Sequence, residues 1–155
     1  MKIGLIVYSQ TGNTLAVAMR LQDKLRSAGH ESTIERLAPV GAERLELADA
    51  VPVSQPDILS YDALILAAPV QGAALAPAMT AALRKFPPLQ GRRVVCYLTE
   101  FFPFNWMGGS RAIRQLTQIV AHLGGQLAGT GIIHWSSRQR EQQITELVDR
   151  FAAML

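Results

Sequence analysis

The 155-residue sequence predicts an α/β fold of three layers, doubly wound around a five-stranded parallel sheet. Three observations carry this expectation. Short apolar runs alternate with longer amphipathic ones along the whole chain. The apolar runs are nearly continuous, as in DALILAA at Asp62–Ala68, which is the pattern of strands buried on both faces of a parallel sheet. Glycine, proline or polar clusters separate the elements, and no linker or internal repeat marks a second domain.

Lys2–Tyr8 reads as the first buried strand. Asn13–Ala28 follows as a helix, with Leu15, Ala18, Met19, Leu21, Gln22 and Leu25 in mixed three-to-four spacing and Gly29 as its stop. Glu31–Leu37 alternates enough for a second strand, expected at a sheet edge. Residues 38–60 are the least regular stretch; Pro39, Pro52 and Pro56 argue for loops, with a short helix around Ala42–Ala48. Asp62–Ala68 is the third strand. Ala76–Phe86 is helical, with Pro77 tolerated in its first turn and Pro87-Pro88 ending it. Arg93–Thr99 is the fourth strand, and Ser110–Leu123 a helix framed by Gly108-Gly109 and Gly124-Gly125. Gln126–Trp135 is the fifth strand, and Arg138–Leu155 a terminal amphipathic helix.

Composition narrows the function. At 49% apolar and 17% charged residues, the chain is far from a disordered one. No run approaches the ~18 apolar residues needed to span a bilayer. Met1-Lys2 leads straight into Ile3–Tyr8, too short for a signal-peptide core, so a cytoplasmic location away from membranes is expected. Cys96 is the single cysteine, which leaves no internal disulfide or cysteine-based metal cluster; it reads as a buried thiol acting as a small hydrophobe. His30, His122 and His134 lack metal-ligand spacing, and no metal site is expected. Residues 1–83 hold six Lys/Arg against eight Asp/Glu, whereas residues 84–155 hold nine against four. A basic half suits an acidic protein partner or an anionic cofactor, although charges this dispersed also suit a solvated surface. No nucleic-acid motif accompanies them.

Ligands of a doubly wound sheet bind beyond the carboxyl ends of its strands, near the reversal in strand order. The loops after strands one, three and four are therefore the candidates. The first is Ser9-Gln10-Thr11-Gly12-Asn13-Thr14, between a strand and a helix. An anion there meets free backbone N–H groups and the positive end of the helix dipole. Ser9, Thr11 and Thr14 add hydroxyl donors and Asn13 an amide donor. These are also ordinary turn and cap residues, but four polar side chains around one glycine exceed what capping requires.

This loop, following Ile3–Tyr8, resembles the flavodoxin phosphate loop, [Ser/Thr]-x-Thr-Gly-x-Thr, and the order and spacing of elements match that family over essentially the whole chain. The resemblance implies a flavodoxin-like sheet in the order 2-1-3-4-5 and FMN as cofactor, its phosphate held by Ser9, Thr11, Asn13 and Thr14. A response regulator would need a carboxylate pair after strand one, and a low-molecular-weight tyrosine phosphatase a cysteine and an arginine bounding that loop; neither is present. No G-x-x-x-x-G-K-[ST] or G-x-G-x-x-G pattern occurs.

The second loop, Pro69-Val70-Gln71-Gly72, is similar to the ring loop of flavodoxin-like reductases, but has Val70 and Gln71 where that family often carries a stacking aromatic. By resemblance, Gly72 would turn its backbone toward the flavin N5. The third loop, Thr99-Glu100-Phe101-Phe102-Pro103-Phe104-Asn105-Trp106-Met107-Gly108-Gly109, collects four aromatic side chains within six positions. They could cover the flavin ring, form a homodimer contact or fold back as a small core. Trp106 and Phe102 are the leading stackers, and Gly108-Gly109 resembles the third flavin loop, whose N–H groups face the pyrimidine carbonyls. Glu100 is the one carboxylate near the site and reads as an ordinary exposed glutamate. Arg111 and Arg114 read as surface residues that could also carry a nicotinamide phosphate. The functions in view are electron transfer with a redox protein, an NAD(P)H-dependent FMN or quinone reductase, and a binding module without flavin chemistry.

Overall fold

Strands with no polar face must be covered twice, and that requirement sets the layers. The computed structural model describes residues 1–37 and 55–155. Its strands are β1 (Lys2–Tyr8), β2 (Glu31–Leu37), β3 (Ala63–Gln71), β4 (Ala74–Leu75), β5 (Arg93–Glu100) and β6 (Gln126–His134). Its α-helices are α1 (Asn13–Ser27), α2 (Pro77–Leu83), α3 (Gly109–His122) and α4 (Arg140–Met154). The five long strands run parallel in the order β2-β1-β3-β5-β6. Once the short β4 is set apart, this is the expected 2-1-3-4-5 order, with Glu31–Leu37 at an edge. The short helix expected at Ala42–Ala48 lies outside the described residues.

Strand alternation sorts the core into two halves. Ile6, Leu64, Leu66, Val94, Cys96 and Leu98 face one way, against Met79 and Leu83 of α2 and Leu116 and Val120 of α3. Ile3, Leu5, Val7, Ile65, Val95 and Tyr97 face the other, against Val17, Leu21 and Leu25 of α1 and Leu147 and Phe151 of α4. In α1 the buried positions are Thr14, Val17, Ala18, Leu21 and Leu25, a regular three-to-four stripe. Met19, expected on that stripe, is exposed; Val17 takes the inward place. Ion pairs Arg20–Glu141 and Lys24–Asp149 tie α1 to α4, but both are solvent-exposed. Exposed pairs typically contribute under about 1 kcal/mol, so the apolar contact decides how these helices sit.

The short strand β4 was not anticipated. The expected third strand ends at Ala68, whereas β3 runs on to Gln71 and folds back on itself. Val70 pairs Leu75 and Gln71 pairs Ala74 across a two-residue turn, antiparallel. Gly72 (φ 58°) and Ala73 (φ 59°) both lie in the left-handed region, as a type I′ hairpin turn requires. Alanine tolerates that conformation at a cost of roughly 1 kcal/mol, and gives the sequence no turn signal there. Helix α2 is also shorter than expected, stopping at Leu83.

Cys96 is fully buried, as expected. Tyr97 is fully buried too, and its hydroxyl donates to the Thr14 carbonyl at 2.7 Å, tying the sheet to the first turn of α1. Tyr97→Phe removes that buried hydrogen bond, and we expect it to lower stability by about 1 kcal/mol. A shift of the urea unfolding midpoint at constant slope measures this.

Candidate functional site

The carboxyl ends of β1, β3 and β5 bring the three predicted loops to one end of the sheet, where they touch each other. In the first loop, Gly12 (φ 93°) is the N-cap of α1, and a side chain there would meet only open space. Ser9 and Thr14 are buried, Thr11 and Gln10 exposed, and Asn13 half-buried. The Leu15 amide donates to Ser9 Oγ at 3.2 Å, so Ser9 caps the helix from outside it. The Thr14 hydroxyl is 2.7 Å from that of Thr99, at the end of β5. Two of the four expected phosphate-binding side chains are thus also committed within the protein, and the first loop is fastened to the third.

The second loop is the β3–β4 hairpin. Gln71 Nε2 donates to Gln10 Oε1, joining it to the first loop, and Gln115 of α3 accepts from the Leu75 amide at 2.9 Å. Gly72 faces open space, whereas Val70 leans the other way, against the third loop. Gly108 (φ 119°) sits so close that an added Cβ would lie 2.7 Å from Ala73 Cα and 3.1 Å from Val70 Cγ1. Only glycine satisfies both that approach and that dihedral. Pro69 is the last residue of β3 to pair with β5, opposite Thr99.

In the third loop the aromatic side chains stand out in solvent. Phe101, Phe102, Phe104 and Trp106 are 67%, 49%, 52% and 77% exposed. Phe101 and Phe102 meet edge-on with ring centres 5.5 Å apart, and Phe104 and Trp106 stack at 5.7 Å. They do not form the small core that was one of three expectations. The backbone beneath them is fixed: the Phe101 carbonyl accepts from the amide and hydroxyl of Ser136.

Glu100 corrects an expectation. It is not exposed but only 5% accessible, and neither carboxylate oxygen receives a well-formed hydrogen bond from the described residues. His134 Nδ1 lies 3.1 Å from Oε1, yet donates instead to the Phe102 carbonyl at 3.0 Å. Burial raises the Glu100 carboxyl above its ordinary range; the imidazole and, more weakly, the Gly109 amide oppose that rise. His134 escaped sequence reasoning because its partner is 34 positions away. The signal lay in the parallel register, where Glu100 and His134 are paired as the last residues of β5 and β6. Arg111 and Arg114 are exposed, and Arg114 lines a surface cleft with Asn105, Ser110 and His134. Among the described residues, no cluster of His, Cys, Asp or Glu could hold a metal, and no helix is long and apolar enough to cross a membrane.

The family model for NADPH-dependent FMN reductases matches residues 1–139. The chain belongs to that family. Solved structures similar in fold include a flavodoxin of Streptococcus pneumoniae TIGR4, at 16% identity and a TM-score of 0.72 over the whole of both chains. A cysteine-to-serine variant of Pseudomonas aeruginosa flavodoxin is 18% identical with a TM-score of 0.71, covering 100% of this chain and 99% of that one. Two-electron reduced Megasphaera elsdenii flavodoxin is 20% identical with a TM-score of 0.67, covering 97% of this chain and 98% of that one. No curated protein sequence matches the chain. Family and fold together make this a flavoprotein of the oxidoreductase class with FMN as its cofactor. The residues present fit that group: glycines at Gly12 and Gly72 face open space, a helix N-terminus stands behind the first, and the adjoining third loop carries exposed aromatic side chains.

Two outcomes follow from this geometry. Gly108→Ala adds a left-handed alanine and a clash with Ala73, and is expected to cost about 2 kcal/mol or more, read by denaturant unfolding. For Glu100, the folded state holds the proton more tightly than the unfolded chain. Its contribution is favourable at low pH and is lost as pH rises through the folded pKa, above the ordinary glutamate value of about 4.3. Glu100→Gln should therefore gain stability relative to the parent as pH increases, and match it in acid, in urea midpoints compared across pH.

Proposed function

We propose that this protein is an electron carrier, in which bound FMN exchanges electrons with a partner redox protein docked on the third loop. The observation that carries the proposal is the exposure of Phe101, Phe102, Phe104 and Trp106 beside the cofactor loops. An apolar rim of this kind, next to a redox centre, suits a surface that meets another protein and excludes water from the contact. FMN supplies the storage of one or two electrons; the chain supplies binding, orientation and electrostatics. The Ser9–Thr14 loop holds the phosphate through neutral donors, since no lysine or arginine lies within it. The hairpin and the third loop flank the ring, with Trp106 and Phe102 as its stacking partners. The excess of arginine in the second half of the chain favours an acidic partner. We place this work in the cytoplasm and in one domain spanning residues 1–155.

The second reading is an NADPH-dependent FMN or quinone reductase. The family match favours it, and so does the cleft where Arg114, Ser110 and Asn105 lie together at the edge of the third loop, the donor set a nucleotide phosphate would use.

The decisive comparison loads the protein with FMN and follows two rates. A carrier is expected to oxidise NADPH slowly with a quinone acceptor, to exchange electrons quickly with an acidic redox protein, and to lose at least about tenfold of that exchange rate as salt rises. Rapid NADPH oxidation with salt-independent exchange would instead establish the reductase. Failure of the folded protein to take up FMN would remove both readings.

A further inference from the structure

A buried carboxylate with few and poorly formed hydrogen bonds is costly, and Glu100 is placed where such a cost has a use. Its side chain is 4% exposed and packs directly on the third loop: a Cβ at Gly109 would lie 2.5 Å from Glu100 Oε2. Few polar groups face it. From β6 comes the His134 imidazole, 3.1 Å from Oε1; from α3 comes the Gly109 amide; Ile132 of β6 closes the same space with an apolar side chain. Thr99, its neighbour on β5, spends its hydroxyl on Thr14. Arg114, the arginine of the adjoining cleft, is exposed on α3 and makes no ion pair with Glu100.

His134 connects this buried group to water. Its side chain is 13% exposed and lines the cleft beside the third loop, together with Asn105, Ser110 and Arg114. Its Nδ1 faces two acceptors, the Phe102 carbonyl at 3.0 Å and the Glu100 carboxylate at 3.1 Å, with one proton to give. The same ring can therefore hold the loop in place or hand its proton inward.

We propose that Glu100 and His134 form a buried proton-holding pair at the third loop, taking up one proton from solvent when the bound flavin gains negative charge on reduction. This rests on the FMN-dependent redox reading. The electrons come from the reductant, a nicotinamide donor or a reduced redox protein in use. The proton comes from water at the cleft: it bonds to His134 Nε2 while the Nδ1 proton crosses to Glu100 Oε1. The carboxylate becomes a carboxylic acid, and the imidazole, having gained one proton and given one, carries as many protons as before. Added negative charge on the cofactor raises the proton affinity of the carboxylate, and by linkage the protonated carboxyl raises the affinity for reduced over oxidised FMN by the same factor. Glu100 is a positioning residue in this scheme, acting through charge rather than through the bond-making atoms.

The test measures the midpoint potential of the FMN-loaded protein, with dithionite as reductant, from mildly acidic to mildly alkaline pH. The parent and Glu100→Gln are compared. Glutamine keeps the shape but cannot titrate. The expected result is coincident potentials in acid and a growing gap towards alkaline pH. There the Gln variant should favour reduced over oxidised FMN roughly tenfold more than the parent does, the factor for one unit of proton-affinity linkage. His134→Gln should slow the proton uptake that accompanies reduction, seen with a pH indicator after a reduction jump. Parallel potentials across pH would overturn the proposal, whatever the absolute values. A flavin-independent measurement keeps the two readings separable: the infrared band of a protonated carboxyl in the unloaded protein should persist above the ordinary carboxylate range and vanish in Glu100→Gln. Its absence from the parent overturns the pair even if FMN binds; its presence, with no FMN uptake, supports the pair and removes the electron-transfer function.

Discussion

Burial of the sheet on both faces is the constraint from which the rest follows. β1, β3 and β5 place aliphatic side chains alternately up and down, into two apolar cores that the helices cover. Polar chemistry is thereby driven out of the layers to the ends of the strands. At the carboxyl end, three strands stop side by side, and their loops inherit a fixed spacing that none of them could set alone. The first helix must then begin where β1 ends, which leaves the amides of its first turn at the same edge.

The loops are held by few contacts, and each has a different physical nature. A hydroxyl pair joins Thr14 to Thr99, an amide pair joins Gln10 to Gln71, and a backbone approach at Gly108 presses the hairpin on the third loop. Tyr97 reaches from the core to the Thr14 carbonyl beneath them. The floor of the site is thus tied together, while the aromatic side chains at its rim pair with one another in solvent. A floor so tied suits a cofactor held through changes of charge; an exposed rim suits a partner that comes and goes.

The layers were legible because their signal is local. Lys2–Tyr8 and Glu31–Leu37 agree with the structure residue for residue, since continuous or alternating apolar sequence fixes a strand without reference to its neighbours. The loop Ser9–Thr14 was legible for a similar reason, its residue types being crowded into one turn. What escaped was non-local. The hairpin turns on Ala73 in a conformation its side chain disfavours, and only the return of Ala74 and Leu75 to β3 reveals it. Glu100 reads as a surface residue by type, but it ends a strand flanked by β6 and capped by α3, so tertiary position overrides the preference of glutamate for water. Met19 and Val17 are both apolar; the phase of the helix against the sheet decides which is inside.

Cys96 has a consequence of another kind. It is the single cysteine, lies in the middle of β5 with no accessible surface, and burial holds its sulfur as the thiol rather than the thiolate. Oxidants generated near a reduced flavin, peroxide among them, attack thiolates that they can reach. This protein presents none to them. Its single thiol is thereby closed to sulfenylation, mixed disulfides and cross-linked dimers through repeated exposure to oxygen, which leaves thiol chemistry out of the redox work of the cofactor.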